Sequence, residues 1–114
     1  MSEPRAWLPR DFERELVQTE TLVVELHDGG GRALTAHSRN LSLSGIFVET
    51  PEPIDVGVEV QLFVGNSGNS SALRVFARVI HVAPGVGFGA RFLDDSEEGR
   101  GHVAAFLERF ASRR

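Results

Sequence analysis

Two short groups of polar residues in this chain have the side chains needed to recognise an anion. Near the N-terminus, Arg10 and Arg14 form an Arg-x-x-x-Arg pair, and further along Asn40, Ser42 and Gly45 form Asn-x-Ser-x-x-Gly. Guanidinium groups present planar donors that suit phosphate oxygens and the acceptor edge of guanine. Asn and Ser add short donors and acceptors, and Gly allows a close backbone approach. These residue types favour the binding of an anionic ligand.

The sequence carries no comparable signal for catalysis or for a metal site. The chain has no Cys and no G-x-S-x-G nucleophile elbow, and its four His residues, at 27, 37, 81 and 102, form no closely spaced pair. The acids at 94, 95, 97 and 98 are expected to complement the dipole of a helix N-terminus. We therefore expect no catalytic residues, no metal and no cofactor, and a small hydrolase is disfavoured.

Length and charge restrict the possible partners. A chain of 114 residues has room for one domain with one core. A formal net charge of -4 argues against broad electrostatic binding to nucleic acid or to an anionic membrane surface. No window approaches the run of about 20 apolar residues that crosses a bilayer, and no apolar leader follows a basic start. The predicted protein is cytoplasmic and does not insert into membranes.

The pattern of apolar residues predicts the elements that must position the polar groups. Alternation at a period of two, broken by Gly, Pro and Asn clusters, predicts strands over residues 21–27, 32–39, 45–50, 58–64, 73–82 and 86–92. Val103, Phe106, Leu107 and Phe110 share one face of a helix. Because no strand is followed by a helix that could carry a parallel crossover, the pattern favours an antiparallel β-barrel.

Two Gly-containing stretches also have an interpretation without a ligand. Gly85, Gly87 and Gly89 lack the following helix of a phosphate-binding loop, and we expect them to allow close packing across a bent strand. Residues 40–45 are common turn formers, so a bulge or tight corner would use them for structure alone. Ser44 is expected to be such a turn residue.

In order and spacing, the two polar groups resemble the motifs of the PilZ domain, the bacterial receptor module for cyclic di-GMP. The likeness continues in GIFV at 45–48, in VGVEV at 56–60 and in GFGARF at 87–92, which precedes the C-terminal helix. It covers roughly residues 8 to 110. The motifs carry the resemblance together, because each alone is short enough to occur by chance.

The resemblance implies a fold and a set of contacts. The expected fold is all-β: a six-stranded antiparallel PilZ-type barrel with a C-terminal α-helix, in one domain over residues 1–114. Residues 1–19 would be a flexible segment, 20–93 the barrel and 95–111 the helix. Arg10, Arg14, Asn40, Ser42 and Gly45 would bind cyclic di-GMP. Arg39 is a possible secondary contact, on weaker grounds.

The resemblance also implies a mode of signalling. Binding would order the N-terminal segment against the barrel, and the change would pass to a partner protein in trans. Bacterial motility, surface attachment and biofilm or exopolysaccharide output are the processes that the family suggests.

One departure from the family pattern leaves a second hypothesis open. Residues 1–14 contain three Arg and three acidic residues, so the charges of their side chains sum to zero. Family members often have a more basic segment. If this segment is helical, Arg10 can pair with Glu13 and Arg14 with Asp11 at i, i+3, which would lower affinity for the nucleotide. The alternative is a PilZ-like protein-interaction module that does not bind cyclic di-GMP.

Overall fold

Six strands and one helix form in residues 17–65 and 72–110, the part of the chain that the computed structural model describes. In chain order they are β1 Val17–His27, β2 Ala33–Leu41, β3 Gly45–Glu49, β4 Glu59–Gly65, β5 Ala72–Ala83, β6 Gly87–Phe92 and α1 Glu97–Phe110. β4 shows the period-two burial pattern, because one face of it is buried and the other is partly exposed, whereas β3 and β6 are buried on both faces over their first four residues.

The strands close into a barrel in the order β1-β2-β3-β6-β5-β4, with every neighbouring pair antiparallel. This confirms the predicted fold class. β6 lies between β3 and β5, so the closing contacts join strands that are distant in sequence. The interior contains the buried side chains of alternating strand residues, among them Leu22, Val24, Ile46, Val48, Leu62, Val79 and Phe88.

The first strand begins earlier than the sequence predicts. β1 starts at Val17, whereas alternation predicts a strand from Thr21 and a barrel from residue 20. The pairing of β1 with β2 shifts between Gln18 and Leu22, so the regular alternation is interrupted there. Because polar residues fill this irregular stretch, the strand is not apparent from its pattern. Its start brings Val17 opposite Leu41, at the end of β2.

The helix packs against β1 and β5. Val103, Phe106 and Phe110 are buried and join the interior cluster, as their spacing predicts. Ser96 caps the helix, because its Oγ accepts the N–H of Gly99 at 3.1 Å and its carbonyl accepts that of Arg100 at 2.9 Å. Within the described residues, no helix has the length and apolar character to cross a membrane.

Asp94 should make folding stability depend on acid pH. Hydrogen bonds from the Ser96 hydroxyl and backbone N–H, with a smaller contribution from His102, hold the pKa of Asp94 below its ordinary value of 3.8. The ionised carboxylate therefore stabilises the folded state fully above that value, and the contribution is lost as pH falls through the folded pKa. Urea unfolding of Asp94→Asn should show a shallower loss of stability than wild type below about pH 4. Identical acid profiles for the two proteins would contradict this role.

Candidate functional site

A β-bulge in β2 sets the direction of the residues that enter the β2–β3 connection. The pairing of β2 with β3 shifts between His37 and Asn40. Within the bulge, the fully buried Ser38 donates its hydroxyl to the carbonyl of Asn40 at 3.1 Å and accepts the Asn40 N–H at 3.3 Å. The bulge changes the alternation, so that Leu41 is buried while Asn40 is half-buried. Asn40 thus lies where β2 ends, with part of its surface open to solvent.

Ser42 holds the connection itself, which we call the corner (residues 40–45). Its Oγ accepts the backbone N–H of Gly45 at 2.9 Å and that of Ser44 at 3.1 Å. Its own backbone N–H donates to the carbonyl of Gly45 at 2.8 Å. The residue is only 2% exposed. In the structure the Ser42 hydroxyl supports the corner, and its predicted contact with a ligand stays a prediction.

Gly45 begins β3 and lies opposite Arg91 of β6. It is not among the described glycines with positive φ, so a left-handed backbone does not explain the residue. The corner is attached to β6 at two points, because Ser44 accepts the N–H of Phe92 at 2.9 Å and an Nη1 contact from Arg91 at 3.4 Å. Ser44 is therefore more than the turn residue predicted from sequence, and Arg91 is a neighbour that sequence reasoning missed.

Arg39 points to another strand. Its Nε and Nη2 donate to the two carboxylate oxygens of Glu49 on β3, at 3.1 and 3.0 Å. The Arg39 side chain is 56% exposed, and exposed pairs of this kind stabilise a fold by less than about 1 kcal/mol. The pair neutralises the charge of Arg39, but a phosphate could displace Glu49 at small cost.

An open groove of about 400 Å³ separates the corner from the helix. We call it the α1 groove; the described residues that line it are Val17, Leu43, Ser44, Arg100 and Leu107. Val17 and Leu43 are 42% and 40% exposed, so two of its apolar walls face solvent. The volume is in the range of small-molecule sites, about 300 to 1,000 Å³. Arg100 was not predicted from the sequence, because the sequence pattern of a helix does not show which element a polar residue faces.

The structure thus brings together three of the predicted site residues. Asn40, Ser42 and Gly45 share the corner, and Arg39 lies beside it but contacts Glu49. Arg10 and Arg14 lie outside the described residues. Among the residues that are described, no three His, Asp or Glu side chains come together as metal ligands. The arrangement offers amide, backbone and guanidinium donors next to exposed apolar surface, which suits a nucleotide.

Comparison with known proteins extends beyond these few residues. The model of the family described as "PilZ domain" matches residues 9–109 of the chain. The matched range contains both polar groups, all six strands and the helix up to Arg109. No curated protein sequence matches the chain.

Solved structures of low sequence identity share the fold. The PilZ domain of CeSA from a cellulose-synthesizing bacterium superposes with a TM-score of 0.62 at 21% identity, over 80% of this chain and 93% of that domain. The inhibitor of motility MotI/DgrA of Bacillus subtilis gives 0.61 at 15%, over 84% of this chain. PlzA of Borreliella burgdorferi, solved in complex with c-di-GMP, gives 0.51 at 12%, over 87%. The matched region is 50% of the length of MotI and 37% of that of PlzA.

Proposed function

Because this chain belongs to the PilZ domain family, we propose that it is a receptor for cyclic di-GMP and has no enzymatic activity. The observation that carries the proposal is the corner, where the Asn-x-Ser-x-x-Gly motif is held in one conformation at the rim of the barrel. The complex of PlzA with c-di-GMP supports the choice of ligand, since the matched 37% of PlzA has the same fold.

The corner can contribute contacts to the base and to the backbone of the nucleotide. The half-buried Asn40 has an amide that can pair with a guanine edge. Gly45 lets the ligand approach the chain without a Cβ in the way. Ser42 contributes by fixing the distance between these two residues, and a direct contact would require its hydroxyl to exchange an existing hydrogen bond.

Chain connectivity keeps Arg14 close to the corner. Val17 pairs with Leu41 at the end of β2, and Arg14 is three residues before Val17. Three peptide units span at most about 11 Å between Cα atoms. Arg14 can therefore reach a phosphate or guanine bound at the corner and make a bidentate contact to it. Arg10 precedes Arg14 by four residues.

The output of binding is a new surface for a protein partner. Docking of residues 1–16 over a bound nucleotide would join that segment, the ligand and the corner into one surface. A partner acting in trans would recognise the surface only when cyclic di-GMP is present.

Calorimetric titration with cyclic di-GMP should show saturable binding that Arg14→Ala weakens about tenfold to a hundredfold, as expected for the loss of a charge-assisted hydrogen bond. GTP should give no comparable heat, because it lacks the cyclic arrangement of two guanines. Arg74→Ala is the matched control. Arg74 belongs to a second Arg-x-x-x-Arg pair, with Arg78, and among the described residues it is exposed and makes no ion pair. It should bind like wild type.

Absence of heat and of any shift in melting temperature at high cyclic di-GMP would contradict the proposal. The corner would then be a structural feature of a protein-interaction module. Equal losses in Arg14→Ala and Arg74→Ala would also count against a site at the corner, since they would indicate a general effect of charge.

A further inference from the structure

Arg100 occupies an unusual electrostatic position. It lies in the N-terminal half of α1, just after the acidic residues Glu97 and Glu98 of the first turn. A cation there opposes the helix dipole. Glu97 is at i−3, where an ion pair is geometrically possible, yet no described residue makes an ion pair or hydrogen bond with the Arg100 guanidinium. Local helix energetics therefore do not account for the residue.

Arg100 instead lines the α1 groove. Leu43 and Ser44, which belong to the corner, also line the groove. Val17 and Leu107 add apolar surface to the lining of the groove. Among the described residues, the groove thus combines one cation that has no ion-pair partner with apolar walls, and its lining includes Leu43 and Ser44 of the Asn-x-Ser-x-x-Gly motif.

This combination suits one half of a cyclic dinucleotide better than a peptide. A purine has two apolar faces that can lie on aliphatic side chains, and its attached phosphate needs a cation at close range. An apolar peptide segment would fill the same volume but would leave the Arg100 charge without a partner. The charge and the position of the groove beside the motif favour the nucleotide.

We propose that the cyclic di-GMP site extends from the corner into the α1 groove, where Arg100 contacts a phosphate or guanine edge. The inference rests on the proposed function and adds to it a contact from the C-terminal helix. Arg100 is then a binding residue contributed by α1, and Leu43 of the corner provides apolar surface in the same groove.

Titration of Arg100→Ala with cyclic di-GMP should give an affinity about tenfold weaker than wild type. Arg100→Lys should fall between the two, because an ammonium keeps the charge and loses the planar fork. Arg74→Ala, another exposed arginine, should bind like wild type. The urea midpoint of Arg100→Ala should not fall, since the described residues offer its side chain no partner to lose and a cation at this position opposes the helix dipole.

The possible outcomes separate this inference from the proposed function. If Arg14→Ala loses affinity while Arg100→Ala binds within twofold of wild type, the receptor proposal stands and the extension into the groove is wrong. A marked loss of folding stability in Arg100→Ala would assign the residue a structural role and would also overturn the inference. If the wild-type protein binds no cyclic di-GMP, both proposals fail.

Discussion

Ser42→Ala is expected to lower the free energy of unfolding by about 2–3 kcal/mol, because two backbone N–H groups lose their acceptor. The Ser42 Oγ accepts from Gly45 at 2.9 Å and from Ser44 at 3.1 Å, and Ser42 is 2% exposed. Gly45 is buried, so water cannot easily replace the hydroxyl there. Urea unfolding monitored by circular dichroism measures the change.

Ser44→Ala is the matched control in the same corner. The half-buried Ser44 hydroxyl lies 3.3 Å from Ser42 Oγ and 3.4 Å from Arg91 Nη1, both long for hydrogen bonds, so loss of these two contacts should cost less than about 1 kcal/mol. Similar small losses in both variants would show that the Ser42 hydroxyl does not hold the corner.

The same variant separates two roles for Ser42 in binding. If the hydroxyl only contacts the ligand, Ser42→Ala weakens cyclic di-GMP binding and leaves stability unchanged. If it holds the corner, stability and affinity fall together, since the relative position of Asn40 and Gly45 is lost. The hydrogen bonds in the structure favour the second result.

Much of the fold could be predicted because its determinants are local. Alternating apolar residues and Gly or Pro clusters predicted six strands within a few residues of their bounds, and the spacing of Val103, Phe106 and Phe110 predicted the buried helix face. The pairing of β3 with β6 could not be read from these patterns, because it joins strands that do not follow one another in the chain. The closed barrel was suggested by family resemblance as well as by pattern.

The candidate site was predictable in its residue types and less so in its geometry. The spacing of Asn40, Ser42 and Gly45 indicated a motif. The same sequence pattern would arise whether the Ser42 hydroxyl is buried or exposed, so its burial could not be predicted. The partner of Arg39 is ten residues away and across a bulge. Arg91 reaches the corner only through the β3–β6 pairing, and Arg100 only through the packing of the helix.

Gly87→Ala is expected to lower the free energy of unfolding by about 3 kcal/mol, through a clash that the barrel cannot relieve locally. Gly87 pairs with Glu49 on β3, and a Cβ at Gly87 would overlap the backbone carbonyl oxygen of Val48. It would also lie 3.1 Å from the Glu49 Cα and 3.1 Å from Cζ of the buried Phe47. Two of these atoms are backbone, so side-chain rotation offers no escape.

Gly101→Ala provides the opposite control for unfolding measurements. Gly101 lies within α1 and has no atom within 4 Å of an added Cβ, so alanine there should stabilise the helix by up to about 1 kcal/mol. Gly87→Ala within about 1 kcal/mol of wild type would mean that β3 and β6 separate freely, contrary to the close approach in the structure.

The nucleotide affinity of Gly87→Ala tests whether the strain is local. Gly87 is at the Glu49 end of the β3–β6 pairing, whereas the corner is at the Gly45 end, opposite Arg91. If the barrel yields only near Glu49, the folded fraction of Gly87→Ala should bind cyclic di-GMP like wild type despite its lower stability. A parallel loss of affinity would show that the whole β3–β6 pairing moves as one unit, so that packing at Gly87 sets the geometry of the corner.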